Sequence, residues 1–308
     1  MSQTSFSLTP ATPIIGAFVE GIDLSAELDQ HKYLALREAL NRYQVLFFRD
    51  QQLSRERHVA LGRRFGELHI HPHVVGPEGH PEIMPIAADE NSSLDDRAVQ
   101  RGEKRSVTGD RWHSDVSCDE EPPLGSILYL TKTPPVGGDT LFASAAAAFD
   151  ALSPAFQRFL EGLTAEHSGE STYRRRQGNK PLLDRSAQGY RNGTDYPRAV
   201  HPVVRTHPET GRKILFVNRG FTHAIQELSL DESRDLLELL YRHLERPEFQ
   251  VRFQWRPNSV AFWDNRSTQH LAIYDYHPHP RYGERVTIKG DRPFLHLHAE
   301  LSTSHAGA

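Results

Sequence analysis

Two short segments far apart in the chain set the strongest limit on how it folds. Trp112-His113-Ser114-Asp115 puts a histidine and an aspartate one residue apart. His270 follows 157 positions later, closing Trp263-Asp264-Asn265-Arg266-Ser267-Thr268-Gln269-His270. In an extended segment residues i and i+2 point to the same side, so His113 and Asp115 can grip one ion. If a rigid sheet brings His270 to them, two imidazoles and one carboxylate make a three-point face with open positions opposite. That donor set suits non-haem Fe(II) together with oxygen and a co-substrate. The pair alone is a weak signal, because His80-Pro81-Glu82, His207-Pro208-Glu209 and His298-Ala299-Glu300 have similar spacing. Taken by itself, His113 fits a structural role as readily as a ligand role.

The surrounding chain reads as strands with helices interspersed. Val45-Leu46-Phe47-Phe48 is an apolar run of strand length, and Ser126–Leu130, Gln250–Trp255, Ser259–Trp263 and Arg285–Lys289 read likewise. Further strands are expected at Ile14–Val19, after the Gly137-Gly138 turn, at Ala199–Val204 and at Lys213–Val217. Helices are expected over 26–43, from Ser54 to Phe65, in two pieces over 144–163 with Ser153-Pro154 opening the second, and from Ser229. Ser229 with Glu232 forms a capping box. His69-Ile70-His71-Pro72-His73 reads as a polar edge strand with its histidines on one face; Pro72 interrupts its ladder. Two polar stretches, 89–110 and 167–199, read as mobile insertions, the first a lid over the site.

Several classes are excluded. There is no βαβα alternation, no GxGxxG after a strand and no Walker A, which disfavours a doubly wound nucleotide fold. A formal charge of −4 argues against nucleic acid as the main partner. Mean hydropathy is −0.58 and no apolar run approaches the ~18–20 residues that span a bilayer, so no membrane role is expected. The single cysteine, Cys118, precludes an intrachain disulfide and fits a reducing cytoplasm. Burial is the expected fate of Cys118. No linker divides the chain, so one catalytic domain over 1–308 is expected.

Eleven residues past His270 lies Arg281, and Arg285 follows four later. Equal parity puts both guanidinium groups on one strand face, and guanidinium matches a carboxylate or sulfonate through paired hydrogen bonds. A surface ion pair is the usual fate of an arginine. Two on one face beside a metal ligand instead point to two anions side by side.

With these residues in place, the chain resembles the taurine dioxygenase family of Fe(II)/2-oxoglutarate-dependent dioxygenases. The matching segments run from near Pro10 to Phe294. They include Phe65-Gly66-Glu67-Leu68-His69-Ile70-His71-Pro72, Trp112–Val116, Gly137–Leu141, His201–Pro208, Leu215–Asn218, Trp263–Arg266 with Gln269-His270, and Gly290–Phe294. The resemblance implies a mainly β fold, a double-stranded β-helix or jelly roll flanked by helices. It implies that His113, Asp115 and His270 bind iron, and that Thr140 and Arg281 hold 2-oxoglutarate. It implies that Arg285 and His71 receive the substrate anion, with the Val116 backbone nearby and Phe221 as a pocket wall. No catalytic side chain is implied beyond the iron centre. A homo-oligomer, dimer or tetramer, is the expectation for such relatives.

The chain departs from the taurine-specific pattern around the substrate's amino group. Gly109 stands where an asparagine is expected, Val74 replaces a pocket tyrosine, and Thr172-Tyr173 replaces a serine–phenylalanine pair. The anion partners remain. The expected reaction is therefore hydroxylation of a small organosulfur acid, taurine or another alkylsulfonate, releasing sulfite and an aldehyde with succinate and CO2. A sulfate ester and an aryloxyalkanoate or other carboxylate are the rival substrates, and a non-catalytic metal- or anion-binding barrel is the rival class.

Overall fold

The computed structural model describes residues 6–71, 74–88, 109–177 and 196–296, with the side chains of 175–177 left aside. The strands are Ser7–Pro10 (β1), Ala17–Glu20 (β2), Val45–Phe48 (β3), Ile83–Ala88 (β4), Gly125–Lys132 (β5), Thr140–Ser144 (β6), Thr164–Ser168 (β7) and Arg198–Pro202 (β8). They continue with Val204–Thr206 (β9), Lys213–Leu215 (β10), Thr222–Ile225 (β11), Gln250–Phe253 (β12), Ser259–Asp264 (β13), Thr268–Ala272 (β14) and Arg281–Ile288 (β15). The helices are Gln30–Tyr43 (α1), Arg55–Phe65 (α2), Ala145–Asp150 (α3), Pro154–Glu161 (α4), Glu170–Gln177 (α5) and Leu230–Leu244 (α6).

Alternation along the central strands decides where the core lies. A seven-stranded sheet runs β1-β2-β3-β13-β5-β15-β4. From it Val45 and Phe47, Leu128 and Leu130, and Ala261 and Trp263 point to one side. There they meet Phe142, Val251 and Phe253 of a three-stranded sheet, β12-β6-β14. The intervening residues Leu46, Phe48, Ile127, Tyr129, Val260 and Phe262 point the other way, onto Leu36, Leu40, Val59 and Leu61 of α1 and α2. Both faces of these strands are buried, so they read as unbroken apolar runs rather than alternating ones. A third cluster packs α3, α4 and α6 against β7, β9 and β10, through Ala146, Leu160, Leu163, Val204, Leu215, Leu237 and Leu240. The result is a mostly β, jelly-roll architecture with helices outside.

Helix starts follow local chemistry. Ser54 and Ser229 accept backbone N–H bonds at the heads of α2 and α6, and the Ser229–Glu232 capping box is formed. α1 begins at Gln30 behind an Asp29 cap, not at 26. Two further expectations need correcting. His69–His71 is not a strand: one bridge at Leu68↔Ile288 and the bond from His69 N to Thr287 O are its only ladder contacts among the described residues. The strand expected from Arg285 begins at Arg281. Within the polar stretch 167–199, residues 170–177 are helical and strand resumes at 198; residues 178–195, like 89–108, lie outside the described residues. No described helix is long and apolar enough to cross a membrane.

Candidate metal centre and active site

The two distant segments meet at an isolated antiparallel bridge, His113 against His270 of β14. His113 N donates to His270 O at 3.1 Å and His270 N donates to His113 O at 2.8 Å. Residues so paired in an antiparallel ladder carry their side chains on the same face. The two rings accordingly stand 4.1 Å apart, centroid to centroid. Gly220 allows the chain over this point, since a Cβ there would come within 2.7 Å of His113 Cβ. The His270 ring rests on Trp263 and Phe142, at the end of the apolar interior. Asp115, two residues past His113, completes a buried group whose ligand atoms lie within 4.8 Å of one another.

The donor chemistry fits a divalent cation. His113 Nδ1 lies 2.8 Å from Arg111 O, and a carbonyl only accepts, so in the neutral ring Nδ1 carries the proton and Nε2 the lone pair. That Nε2 is 3.7 Å from Asp115 Oδ1, and His270 Nε2 is 3.9 Å from the same oxygen. Burial, with His113 and Arg285 nearby, pushes the His270 pKa well below its ordinary value despite Asp115, which keeps the imidazole a neutral donor. Burial alone would raise the Asp115 pKa. Arg285, both histidines and the Ser126 hydroxyl override that and hold it well below the usual carboxylate range. Buried His270 Nδ1 has no hydrogen-bond partner among the described residues. Among the described residues no fourth His, Cys, Asp or Glu joins the group, so those residues offer one ligand atom each from His113, Asp115 and His270.

Arg281 and Arg285 share a face of β15, as their parity requires, but their settings differ. Arg285 lies opposite Leu128 of the interior. Its Nη1 donates to Asp115 Oδ1 at 2.6 Å, Nη2 reaches the weak acceptor Met84 Sδ at 3.2 Å, and Nε is buried without a partner among the described residues. Arg281 is buried with no carboxylate in salt-bridge range among the described residues; its Nε is likewise unpaired. Burial lowers its pKa, and the Trp255 ring lies 5.6 Å below its guanidinium. The same Trp255 donates its indole N–H to Thr140 Oγ1 at 2.9 Å. Thr140 therefore accepts from the indole and keeps its own proton for another acceptor. Tyr276, buried with its hydroxyl unpaired among the described residues, adds a third polar group here. Trp255 and Tyr276 carried no sequence signal for this role.

The remaining predicted residues gather on the other flank. Val116, Cys118, Tyr173 and Phe221 form one buried apolar cluster. Phe221 lies 6.3 Å from the His113 ring and 6.2 Å from Tyr173; Tyr173 lies 6.3 Å from His71. Thr172, on α5, donates to Gly220 O at 2.7 Å. Val116 has φ +46°, a left-handed conformation that is rare for a β-branched residue and costs about 1–3 kcal/mol. That strained residue directly follows Asp115. Gly109 has φ +79°, donates no side chain, and leaves room 3.4 Å from His113 Cε1 where a Cβ would stand. Val74 is half-buried on the bend after His71; Pro72 and His73 lie outside the described residues.

The family model "Taurine catabolism dioxygenase TauD, TfdA family" matches residues 6–287. An alpha-ketoglutarate-dependent sulfonate dioxygenase of Saccharomyces cerevisiae is 35% identical over 92% of this chain, which spans 66% of that protein's length. An alpha-ketoglutarate-dependent sulfate ester dioxygenase of Pseudomonas putida is 35% identical over 92% of this chain and 89% of its own. A crystal structure of a taurine dioxygenase from Burkholderia xenovorans, 37% identical, superposes with a TM-score of 0.77, covering 94% of this chain and 91% of that one.

Proposed function

The chain belongs to the taurine catabolism dioxygenase TauD, TfdA family, and from that premise we propose that it is an Fe(II)- and 2-oxoglutarate-dependent dioxygenase that hydroxylates a small organosulfur acid. The observation that carries this reading is the co-location of a three-ligand metal face with two buried arginines on one strand. His113, Asp115 and His270 hold the iron. Iron bound there supplies the coupling of 2-oxoglutarate decarboxylation by O2 to hydroxylation of a substrate C–H bond. Arg281 and the Thr140 hydroxyl bind the distal carboxylate of 2-oxoglutarate, the charge that Arg281 lacks among the described residues.

Arg285, through Nε and its weakly engaged Nη2, and His71 receive the substrate's anionic head. Phe221, Val116 and Tyr173 wall the pocket and exclude water, which strengthens those charged contacts. Hydroxylation of the carbon bearing a sulfonate leaves an adduct that breaks down to an aldehyde and sulfite. Gly109 and Val74 offer no hydrogen-bonding side chain where the taurine pattern reads an amine, so the substrate head is anionic and its tail need not be aminated. The whole chain acts as one catalytic unit, with 2-oxoglutarate and O2 as co-substrates.

The test is an oxygen-uptake screen with Fe(II) and 2-oxoglutarate over taurine, unaminated alkylsulfonates, alkyl sulfates and aryloxyalkanoates, with succinate and sulfite assayed. Succinate formation that depends on an organosulfur acid, strongest with an unaminated one, is the expected result. No turnover with any of them, together with tight zinc retention, refutes the enzyme reading.

A further inference from the structure

A chain of buried hydrogen bonds runs from Trp263 to Asp115, and donor chemistry fixes the direction of each link. An indole N–H only donates, so Asn265 Oδ1, 2.9 Å from Trp263 Nε1, is the acceptor. The same oxygen takes Asp115 N–H at 3.3 Å. This orients the Asn265 amide, and its Nδ2 must donate to Ser126 Oγ at 3.1 Å. Having accepted there, Ser126 has one proton to give, and Asp115 Oδ2 is the strong acceptor at 2.8 Å. Thr287 Oγ1, at 3.4 Å, is a distant second choice. Ser126 itself is wholly buried, paired in register with Trp263 on β13 and with Thr287 on β15.

We propose that Ser126 is a positioning residue for the metal carboxylate. Its hydroxyl, oriented by Asn265 and Trp263, holds Asp115 Oδ2 away from the ion and makes Asp115 a one-oxygen ligand. Only Oδ1 then faces both imidazole nitrogens. The consequence is functional. A carboxylate free to turn both oxygens toward the ion would take up a coordination position that the co-substrate and oxygen need. The arrangement also accounts for the segment Trp263-Asp264-Asn265-Arg266. Trp263 and Asn265 point to the site, while Asp264 and Arg266 pair with each other and with His207 and Glu209. Tethering Asp115 to the turn five residues before His270 keeps the carboxylate and that imidazole in step.

This inference rests on the metal reading of His113, Asp115 and His270, and the experiment separates the two. Co(II) binding is measured by calorimetry and by visible absorption on the full chain, for the wild type, Asp115→Ala, Ser126→Ala and Ser126→Cys. Wild type binding Co(II), with binding lost in Asp115→Ala, upholds the metal reading; no binding by the wild type overturns that reading itself. Given wild-type binding, Ser126→Ala lowers Co(II) affinity about 10–100-fold and changes the absorption spectrum, because the ligand geometry changes. Ser126→Cys, somewhat larger and with a weaker donor, falls between the two. It carries the test alone if the alanine variant does not fold. An unchanged affinity together with an unchanged spectrum in the variant that folds overturns the role assigned to Ser126, since a merely structural serine would leave the spectrum where it is.

Discussion

Replacing Arg281 with methionine is predicted to make the protein more stable and nearly useless. Its guanidinium is buried, its Nε is unpaired, and no carboxylate lies in salt-bridge range among the described residues. Removing an ion from water costs several kcal/mol when no partner compensates. The Trp255 face, 5.6 Å away, returns about 0.5–2 kcal/mol of that. Methionine fills a similar volume without the charge, so the ligand-free variant gains about 1–3 kcal/mol. For a chain of this size that raises Tm by roughly 2–5 °C. Co-substrate binding moves the other way. Two charge-assisted hydrogen bonds at about 1.5–3 kcal/mol each are lost, which weakens 2-oxoglutarate by at least ~100-fold. Scanning calorimetry with Mn(II), with and without 2-oxoglutarate under anaerobic conditions, reads both effects. At ~100 times Kd the co-substrate stabilises the wild type by about 2.7 kcal/mol and leaves the variant unmoved. A fall of several degrees in the ligand-free Tm, with 2-oxoglutarate still shifting it, would show that Arg281 serves the fold.

Asp115→Ala abolishes Mn(II) binding by calorimetry and costs about 3–5 kcal/mol in denaturant melts, because it strands the buried Arg285 cation. Arg285→Ala raises the KM for the organosulfur acid and lowers kcat/KM by about 100-fold. Its metal affinity rises, since a cation competing for Asp115 Oδ1 is gone; steady-state kinetics and a metal titration check the two parts. Stability also depends on acid. Burial lowers the pKa of His58 to about 4, of His167 to about 3 and of His201 to about 4. These groups stay neutral in the folded protein but protonate when it unfolds, so the stability they confer is present above about pH 6.5 and is lost as pH falls towards 4. Asp119, raised to about 6 by burial, works in the opposite sense between about pH 4 and 6 and offsets only part of it. Urea melts at pH 7.5 and pH 5 should differ by a few kcal/mol, and His58→Phe should shrink the difference.

Elements whose sequence obeys a single rule were legible. β3, β5 and β13 are apolar on both faces because both are covered, and the serines heading α2 and α6 announce their helices. The equal parity of Arg281 and Arg285 anticipated a shared face, although the strand was expected to begin only at Arg285. What escaped were strands whose buried residues are polar. β14 is Thr268-Gln269-His270-Leu271-Ala272, and β7 is Thr164-Ala165-Glu166-His167-Ser168. Thr268, Gln269, His270, His167 and Ser168 are buried among polar partners or at the candidate site, so the hydrophobic pattern fails there. His69–His71 alternates like a strand, yet among the described residues its ladder contacts stop at a single bridge and one backbone bond. Ser126 heads an apolar run and carries no signal of its own; the role proposed for it depends on Asn265, 139 residues away. Nor did the spacing of Arg285 reveal that its first partner is Asp115.

The reciprocal backbone bonds between His113 and His270 close a loop of 157 residues. Closing a loop of that length costs about 4–5 kcal/mol in chain entropy beyond a constant, and such contacts tend to form late in folding. A chain in which these two segments have not yet paired does not present both imidazoles to one ion. A cation bound by both would act as a removable cross-link between two distant parts of the chain, favouring the native state. Its free concentration then sets how far the protein is held from unfolding.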